Sequence, residues 1–479
     1  WLFLSGKGSP VAKMKKEADI FTRKSAINIL KSSPKIVGVT SLFTQHCASL
    51  GLLRYIKECS PETITVIGGG NCEGDMGRIT FDNCDWIDFV VSGEGEHALI
   101  SITEILKKKQ LNDIGMDDLP SNVLSPAHRN QHSSISKNWV ETNLNTLPYP
   151  DYSDYFKSLK VSGIEHYISA SIPIEGSRGC WLGEASPCTF CGLNGGQRHF
   201  RKKNPTRLLN EMRHLTICYG INKLVFTDNI INMDLFNTLF PEIAKTQEKY
   251  EMFFETPARL KEHHLNILDK VGVRIIQPGI ENLHDESLRL INKKTTSWEN
   301  IQLLKKCMEL GIHITWNYLV KMPGDKDEWY SDMAEVIPLL MHLQPPKIIA
   351  RVRFDRFGKY FQDSEMYGLK LKPLQIYKYC FPFSENEMFK FAYYFEDELD
   401  DSTTYDPGLK SFFDIMTMWC SNGDVENSIN RDTLLPENYP KLQHFDSYDF
   451  LEIVDTRPCA IKPKHIFYGD DRIVYLNCQ

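Results

Sequence analysis

Residues 175–194 read EGSRGCWLGEASPCTFCGLN and carry three cysteines, Cys180, Cys188 and Cys191, in the spacing C-x7-C-x2-C. Iron–sulfur clusters are held by cysteine thiolates, and the glycines and the proline between these cysteines predict a loop that lets the three side chains converge. A 4Fe–4S cluster normally takes four ligands, and no fourth cysteine lies nearby. The loop therefore predicts a cluster with one iron left free to bind a small molecule.

Other uses of these cysteines remain open at this point. The Cys188–Cys191 pair has the spacing of a zinc half-site, but no second pair or His-x3-His follows it. A disulfide is disfavoured because the two residues are very close and nothing marks a secreted chain. Chance clustering of three among 13 cysteines is the remaining alternative.

The loop resembles the cluster-binding loop of radical S-adenosylmethionine enzymes, in particular the cobalamin-dependent branch that matures ribosomally made peptides (RiPPs). In that branch the loop reads SRGCWWG…CTFCGLNG, and it departs from the superfamily spacing C-x3-C-x2-C in the same way as this chain. The resemblance implies that Cys180, Cys188 and Cys191 ligate the cluster and that Phe190 lies beside the adenine. The free iron would take the amino and carboxylate groups of S-adenosylmethionine.

Composition narrows the class of protein. The 479 residues are 42% hydrophobic and 24% charged, which suits two or three folded domains. A net charge of −7 gives no support for a nucleic-acid partner, and no apolar run reaches the length of about 18 residues that spans a membrane. The odd number of cysteines, 13, predicts a cytoplasmic location. Since family members usually extend beyond both ends, we expect a chain that opens at Trp1 and stops at Gln479 to be trimmed.

Residues 1–110 alternate between strand and helix patterns. Strands are predicted at 36–39, 63–67 and 88–92, with helices at 46–59 and from 96 to near 109. Strands separated by helices indicate a parallel sheet covered on both faces, here a Rossmann-like domain. Ligands of such folds bind at the carboxyl ends of the strands, where glycine allows close approach of the backbone.

Three segments of this domain, VGVTSLFTQHCASL, IGGGNCEGDMG and VVSGEGE, resemble the cobalamin-binding domain of the same enzyme family. The resemblance implies that the nucleotide tail of cobalamin is surrounded by Thr40, Leu42, Gly68, Gly69 and Gly70. Threonine stands at position 40 where the family usually has serine.

The DxHxxG motif that supplies a lower histidine ligand in many cobalamin proteins is absent. Cobalamin would then have no protein histidine beneath cobalt unless His46 replaces it. We favour a structural role for His46 at the start of a helix, and we predict that Cys72 is buried or incidental rather than a ligand.

Residues 111–165 have the composition of a linker, and residues 166–360 return to strand–helix alternation. Strands are predicted near 167–174, 223–227, 251–256, 273–277, 312–320 and 347–354. Helices are predicted near 205–219, 232–249, 261–271, 284–310 with a break, and 327–343. Six such units predict a partial (β/α)6 barrel of the TIM type, with the cysteine loop directly after its first strand. The overall fold class is therefore α/β.

Polar residues follow several barrel strands. Asp228, Glu255 and Glu281 stand in segments that resemble the DN, E-x-K-A-N-L and PGIESL motifs of the family, which implies that they line the S-adenosylmethionine site. Two segments depart from the family: Lys321–Asp325 replaces GFPGE, and 278–282 reads PGIEN.

The segment after the barrel carries Arg353, Asp355 and Arg356, which we interpret as a structural group, with the floor of a substrate pocket as the alternative. Residues 361–479 are predicted to form a small α+β substrate region, with a helix at 408–420 and strands at 449–457 and 472–477.

The resemblance implies a cobalamin-dependent radical enzyme that methylates an unactivated carbon of a precursor peptide. It uses a 4Fe–4S cluster, S-adenosylmethionine and cobalamin, with a reductant such as flavodoxin or ferredoxin as partner and no nucleic acid or membrane. One alternative is an enzyme of the same build that cross-links, epimerises or rearranges the peptide without methyl transfer. Alternatives of another class are a cobalamin sensor and an electron-transfer protein.

Overall fold

The computed structural model describes residues 10–129, 131, 139–193, 195, 198–246, 248–399, 406–422 and 439–477. The chain divides into two compact units. The first unit comprises Trp1–Thr142, Cys191–Gln197 and Arg353–Leu399, and the second comprises Asn143–Phe190, Arg198–Val352 and Asp400–Gln479. None of the described helices is both long enough and apolar enough to cross a membrane.

The strands are, in chain order, β1 (Ile36–Thr40), β2 (Ile64–Gly68), β3 (Phe89–Val91), β4 (Val123–Leu124), β5 (Ile172–Ile174), β6 (Ser177–Arg178), β7 (Arg201–Lys202), β8 (Lys223–Phe226), β9 (Glu251–Thr256), β10 (Val273–Pro278), β11 (His313–Ile314), β12 (Asn317–Val320), β13 (Ile348–Arg351), β14 (Phe354–Asp355), β15 (Leu371–Pro373), β16 (Tyr394–Asp397), β17 (Leu442–Asp446), β18 (Phe450–Asp455) and β19 (Lys464–Tyr468).

The helices are, in chain order, α1 (Pro10–Leu30), α2 (His46–Cys59), α3 (Asp75–Asn83), α4 (Glu96–Leu106), α5 (Ser153–Ser162), α6 (Trp181–Ala185), α7 (Pro205–Tyr219), α8 (Leu239–Lys245), α9 (Glu262–Val271), α10 (Asp285–Leu290), α11 (Ser297–Leu310), α12 (Asp327–Leu340), α13 (Lys359–Gln362), α14 (Ile376–Cys380), α15 (Glu385–Phe391), α16 (Pro407–Asn422) and α17 (Gly469–Asn477).

The first unit is built on the sheet β1-β2-β3-β4, in which β1, β2 and β3 are parallel and β4 is antiparallel. One apolar core includes Leu53 and Ile56 of α2. A second core includes Ala98 and Ile102 of α4 together with Phe89. A sheet between two cores is the Rossmann-like arrangement that the sequence predicts, and this fold is confirmed.

Part of the predicted linker belongs to this sheet. The strand β4 (Val123–Leu124) pairs with β3 through Val91 and Val90. A strand of two residues is too short to show a periodic pattern, so it could not be predicted from local sequence. The boundary predicted at residue 110 therefore differs from the structural division, which keeps the chain in the first unit up to Thr142.

The second unit contains the parallel sheet β11-β10-β9-β8-β5, and β12 pairs in parallel with β13. The predicted fifth strand is divided, because β11 pairs with β10 whereas β12 pairs with β13. Between the two strands, fully buried Trp316 donates its indole N–H to the Gln344 carbonyl at 3.1 Å. A single bridge from Glu281 to Tyr318 links the two sets of strands, and the six predicted positions form the partial barrel.

The helix α7 shows how local sequence sets the barrel elements. The side chain of Asn204 accepts a hydrogen bond from the Thr206 amide at 2.9 Å, Pro205 takes the first helical position, and Gly220 ends the helix at φ +66°. These are the usual start and stop signals of a helix. The predicted bounds 205–219 are confirmed.

The predicted C-terminal region does not form one unit. Arg353–Leu399, with the antiparallel sheet β14-β16-β15, groups with the first unit, and the remainder groups with the second. In that remainder Trp419 of α16 is fully buried against Trp316. Burial of two large aromatic side chains against each other within the second unit depends on tertiary packing, which no local pattern reveals.

The prediction of a strand at 472–477 is wrong. These residues lie in helix α17, which follows the antiparallel sheet β17-β18-β19. Ile473, Val474 and Tyr475 have the composition of a strand, but Asp470 and Asp471 occupy the first helical turn. Carboxylates stabilise a helix N-terminus, and here that effect outweighs the β propensity of the following residues.

Candidate active site

The cysteine loop begins with a backbone conformation that requires glycine. Gly179 has φ +84°, and a Cβ there would lie 2.3 Å from the His199 carbonyl oxygen. The short helix α6 follows Cys180, whose Sγ accepts the Gly183 amide N–H at 3.2 Å. The first predicted ligand is therefore oriented by the local fold of its own loop.

Cys180 and Cys188 are brought near each other within the second unit. Burial raises the pKa of the Cys180 thiol, the neighbouring Cys188 raises it further, and Lys293 acts in the opposite direction. The Asn292 side chain donates to the Ser186 hydroxyl at 3.0 Å and to the Pro187 carbonyl at 2.8 Å, which fixes the chain just before Cys188. Two half-buried thiols in a constrained loop are a donor set that suits iron.

Cys191 begins the short segment that groups with the first unit. Among the described residues, no group of three or more His, Cys, Asp or Glu side chains has the arrangement of a metal site. No disulfide joins any of the described cysteines. The ligand role of the three cysteines thus stays a prediction, supported by the chemistry of the donor set and by the position of the loop after β5.

Asp228 lies at the carboxyl end of β8 and is almost completely buried. Its carboxylate accepts hydrogen bonds from the Gly176 amide at 2.7 Å and the Ser177 hydroxyl at 2.5 Å. Burial outweighs these hydrogen bonds and raises the pKa of Asp228 to about 6. This carboxylate therefore ties the start of the cysteine loop to the neighbouring strand.

Glu255, near the end of β9, is the second predicted carboxylate of the rim. Burial raises the pKa of Glu255 to about 7, and the negative charges of Glu281 and Asp228 add to the shift. Two of the carboxylates predicted from separate motifs, Asp228 and Glu281, thus lie close enough to act on the third. Such a cluster favours a cationic ligand, because a cation would relieve both desolvation and repulsion.

Glu281 forms an ion pair with Lys293, whose Nζ lies 3.3 Å from the carboxylate. The same ammonium lies 5.7 Å from the ring centroid of Phe190, and Gly279 leaves room for it, since a Cβ there would lie 2.6 Å from Nζ. Lys293 thus connects the predicted adenine-side residue to the acidic rim. Lys293 was not predicted as a site residue, because a lysine about a hundred residues from the cysteines has no local signal that links it to them.

Two buried hydroxyls in this region have no hydrogen-bond partner among the described residues: those of Thr189, between the cysteines, and Thr256, beside Glu255. Buried polar atoms are normally satisfied. Orphaned hydroxyls beside carboxylates of raised pKa fit a site that binds a polar, cationic molecule. The chain's own residues are therefore compatible with S-adenosylmethionine, whose amino and sulfonium groups are cations.

In the first unit, the loops after β1 and β2 meet at the carboxyl edge of the sheet. Gly69 has φ +96°, and a Cβ there would lie 2.6 Å from the Ser41 carbonyl oxygen and 2.9 Å from the Thr40 hydroxyl. A Cβ on Gly70 would lie 3.1 Å from Leu42. The predicted cobalamin residues Thr40, Leu42, Gly69 and Gly70 are therefore neighbours, with Gly68 at the end of β2 between them.

Ser41 and Asn71 hold these two loops together, and the sequence analysis did not single them out. The Ser41 amide donates to the Gly68 carbonyl at 2.8 Å, and the Asn71 side chain donates to the Ser41 hydroxyl and the Phe43 carbonyl, both at 3.0 Å. Ser41 lies between Thr40 and Leu42, and Asn71 follows Gly70, so their position next to predicted cobalamin residues is the sequence signal that could have found them. The exposed backbone of this edge fits a large ligand that approaches closely.

His46 has a structural role. It begins α2, its Nδ1 lies 2.8 Å from the Ser41 hydroxyl, and its Nε2 lies 3.2 Å from the Thr80 hydroxyl. Burial lowers the pKa of His46 to about 4, so the ring is neutral. Since both ring nitrogens face hydroxyl groups, these contacts support the structural interpretation. Cys72 is completely buried, also as predicted.

The two segments that depart from the family are ordered by internal contacts. The Asp325 carboxylate accepts hydrogen bonds from the Met322 amide at 2.8 Å and from the Tyr330 hydroxyl. Lys321 adopts φ +58° and Glu281 adopts φ +59°. Two left-handed backbones after β12 and β10 are the kind of local strain that collects at functional sites.

The group Arg353, Asp355 and Arg356 is structural, as the default interpretation holds. Arg353 pairs with Asp355 at 3.0 Å. The Arg356 guanidinium donates to the Ala392 carbonyl at 2.6 Å and to the Phe389 carbonyl. These contacts bind β14 to the chain around β16 within the first unit.

Comparison with known proteins agrees with this geometry. Residues 174–337 match the family model of the Radical SAM superfamily. This stretch begins at the end of β5, includes the cysteine loop and extends through most of the barrel. The chain therefore carries a radical S-adenosylmethionine domain, which supports an enzyme rather than a sensor or a simple electron carrier.

Curated relatives have different activities. An uncharacterised methyltransferase of Pyrococcus horikoshii is 22% identical over 309 residues, covering 63% of each chain. An anaerobic magnesium-protoporphyrin IX monomethyl ester cyclase of Cereibacter sphaeroides is 22% identical over 322 residues, covering 64% of this chain and 49% of the relative. The chain thus spans between about half and two thirds of the length of these relatives.

Among solved structures, the fold is similar to that of the radical S-adenosylmethionine methyltransferase TsrM from Kitasatospora setae. A structure of TsrM with tryptophan and an S-adenosylmethionine analogue bound has a TM-score of 0.61 at 16% identity, covering 86% of this chain and 84% of TsrM. A TsrM structure with cobalamin and a 4Fe–4S cluster bound has a TM-score of 0.58, covering 80% of each chain. This likeness confirms the α/β fold, in which the chain carries a Rossmann-like domain and a partial (β/α)6 barrel.

Proposed function

We propose that this protein is a cobalamin-dependent radical S-adenosylmethionine methyltransferase that modifies an unactivated carbon of a ribosomally made precursor peptide. The observation that carries the proposal is the combination, on one chain, of a radical S-adenosylmethionine domain and a Rossmann-like unit with a glycine-lined edge. The names of the Pyrococcus relative and of TsrM support methyl transfer. The peptide substrate rests on the resemblance of the cysteine loop alone.

The residues present fit all three cofactors. Cys180, Cys188 and Cys191 would hold the cluster, and Asp228, Glu255, Glu281 and Phe190 would line the S-adenosylmethionine site. Thr40, Leu42 and Gly68–Gly70 would hold cobalamin. When bound, the cluster and S-adenosylmethionine supply hydrogen-atom abstraction, and cobalamin supplies the methyl group.

The chain's own residues orient and shield this chemistry. Asp228 holds the backbone of Gly176 and the hydroxyl of Ser177, and so sets the start of the cysteine loop. Glu255 and Glu281 provide negative charge for the cationic groups of a ligand, and Lys293 offers a positive charge beside Phe190. The odd count of 13 cysteines favours a reducing, cytosolic location, where a flavodoxin or ferredoxin would supply electrons.

A second candidate is a radical enzyme of the same build that does not transfer a methyl group. The cyclase from Cereibacter sphaeroides favours it, because that relative matches a similar share of this chain under a different reaction name. Fold alone does not separate the two reactions.

The test is the product balance of the anaerobically reconstituted enzyme with candidate precursor peptides. A methyltransferase releases 5′-deoxyadenosine and S-adenosylhomocysteine in near-equal amounts, and the peptide gains one methyl mass. With methyl-deuterated S-adenosylmethionine the added methyl must carry the label, as read by mass spectrometry.

The second candidate gives a different balance. Cross-linking, epimerisation or rearrangement would release 5′-deoxyadenosine without stoichiometric S-adenosylhomocysteine. A modified peptide without the deuterium label would contradict methyl transfer while leaving the radical domain intact.

A further inference from the structure

Gly192, directly after Cys191, is enclosed by Asp355 and Tyr393 of the first unit. It is buried, and a Cβ there would lie 2.5 Å from the Asp355 Cβ, so no other residue fits without displacement. Its amide N–H donates to the Asp355 carboxylate, and its carbonyl accepts the Tyr393 hydroxyl at 2.9 Å. Both polar groups of this peptide unit are therefore engaged by side chains from a distant part of the sequence.

Strand pairing explains why these two side chains lie together. Asp355 of β14 is opposite Tyr394 of β16, which places Tyr393 one residue before the pair. The Tyr393 backbone is fixed at both ends, because its carbonyl accepts the Arg356 amide at 2.9 Å and its amide donates to the Tyr377 hydroxyl at 3.1 Å. Arg353 pairs with Asp355 from the other side. Asp355 and Tyr393 are therefore held in place by contacts other than those with Gly192, and we call this pair of residues the clamp.

The ring of Tyr393 also reaches the loop after β1. Its centroid lies 6.4 Å from that of Phe43 in an edge-to-face arrangement. Phe43 has φ +44° and follows Leu42, one of the predicted cobalamin residues. Phe43 is 53% exposed and Tyr393 is only partly buried, so neither ring serves to fill an apolar core.

We propose that Asp355 and Tyr393 are positioning residues that fix the backbone beside Cys191 and, through the Tyr393 ring, the Leu42–Phe43 loop. One side chain would then set the third cluster cysteine and a cobalamin-binding loop together. The inference rests on the proposed cofactors, and it goes beyond them by assigning the placement of Cys191 and of the Leu42–Phe43 loop, both in the first unit, to a segment that follows the radical domain.

The test uses the full chain, reconstituted anaerobically with iron and sulfide and loaded with hydroxocobalamin. Tyr393→Phe removes the hydroxyl but keeps the ring, Tyr393→Ala removes both, and Tyr394→Phe is the matched control. The Tyr394 ring lies against the Arg353 guanidinium at 3.9 Å, and its hydroxyl donates no hydrogen bond to Gly192. Two readouts are measured: the rate of cluster bleaching by an iron chelator, and the dissociation constant of hydroxocobalamin from quenching of tryptophan fluorescence.

Tyr393→Phe should lose its cluster about fivefold faster than the wild type, the factor that one hydrogen bond of ordinary net strength gives, with cobalamin affinity within about twofold. Tyr393→Ala should also bind hydroxocobalamin about fivefold more weakly, since it loses the aromatic contact with Phe43. Tyr394→Phe should match the wild type in both readouts. Circular dichroism establishes that each variant is folded.

The inference would be overturned if Tyr393→Phe lost its cluster at the wild-type rate. It would also be overturned if folded Tyr393→Ala bound hydroxocobalamin as tightly as the wild type. Either result would stand even if the wild type methylates a peptide. Conversely, if the wild type modifies no peptide but Tyr393→Phe loses its cluster faster, the clamp stands and the proposed function fails. The two failures are therefore distinguishable.

Discussion

The glycine edge of the first unit and the acidic rim of the second are both built at the carboxyl ends of parallel strands, but by different means. At the glycine edge, Ser41, Asn71 and His46 satisfy one another and the backbone, and all of them are neutral. At the acidic rim, burial raises the pKa values of Asp228 and Glu255, and the charges of Glu281 and Asp228 raise that of Glu255 further. The first region is defined by shape and the second by charge.

The two regions are therefore expected to tolerate different substitutions. At the glycine edge an added methyl group is damaging, because the neighbouring backbone leaves no space for it. At the rim the shape can stay the same while the removal of one charge changes both stability and ligand preference. The predictions below use this contrast.

The largest expected effect comes from the cysteine loop. Cys188→Ala should abolish the cluster and the formation of 5′-deoxyadenosine, because a thiolate ligand is lost, while hydroxocobalamin still binds the first unit with wild-type affinity. Iron analysis and chromatography of the products measure the two losses. Cys218→Ala, at an exposed position on α7, is the matched control and should keep both. Full reductive cleavage by Cys188→Ala would show that the ligand assignment is wrong.

Gly69→Ala tests the role of shape. Its φ of +96° and the Ser41 oxygen at 2.6 Å predict a loss of about 2–4 kcal/mol in the stability of the first unit. Cobalamin affinity should fall at least about tenfold, since the loops that bind it must move apart. Chemical denaturation and a binding titration measure these effects.

Gly163→Ala is the control for backbone strain alone. It has φ +69° but no atom within 4 Å of the added Cβ, so it should cost only about 1 kcal/mol and leave cobalamin binding unchanged. Equal effects of the two substitutions would contradict the steric explanation.

The acidic rim predicts a dependence of stability on pH. The pKa of Glu255 is raised to about 7 by burial, so between about pH 4.5 and 7 the folded protein keeps a proton that the unfolded chain has lost. Unfolding then releases a proton, and the free energy of unfolding without ligand should fall as the pH rises through this window, by up to about 3 kcal/mol.

Urea denaturation at pH 5 and pH 7.5 measures this slope. Glu255→Gln should flatten it, whereas Glu251→Gln, at an exposed position on the same strand, should not. An unchanged slope in Glu255→Gln would mean that Glu255 is not the titrating group.

The smallest expected effect concerns His46. Electron paramagnetic resonance of the Co(II) form should lack nitrogen superhyperfine splitting from a protein histidine, because both ring nitrogens of His46 already face hydroxyl groups. His46→Gln should leave the spectrum unchanged and cost about 1 kcal/mol of stability. Splitting in the wild type that disappears in the variant would make His46 a ligand after all.

Much of the fold followed from local sequence. Helices α2 and α7 have the predicted bounds, and the strands β1, β2, β8, β9 and β10 lie within a residue or two of their predicted positions. These elements have strong periodicity and clear start and stop signals, so short-range chemistry defines them. Local pattern failed at β4, at the division between β11 and β12, and at α17, where chain pairing or a helix terminus outweighed propensity.

The chemical groups at the sites could be predicted from the sequence alone: three thiols, three carboxylates at strand ends, and a run of glycines. Those groups are written in the residues and in their positions relative to predicted strands. Which of them interact depends on tertiary packing, as when the charges of Glu281 and Asp228 raise the pKa of Glu255.

The tertiary structure alone also introduced Lys293, Asp355 and Tyr393, which approach the sites from distant segments. Their contacts depend on loop closure and strand pairing over long stretches of chain, and no spacing rule connects such residues before the chain folds. The raised pKa values also depend on the folded chain, since burial raises the pKa of a carboxylate only when the rest of the fold excludes water from it.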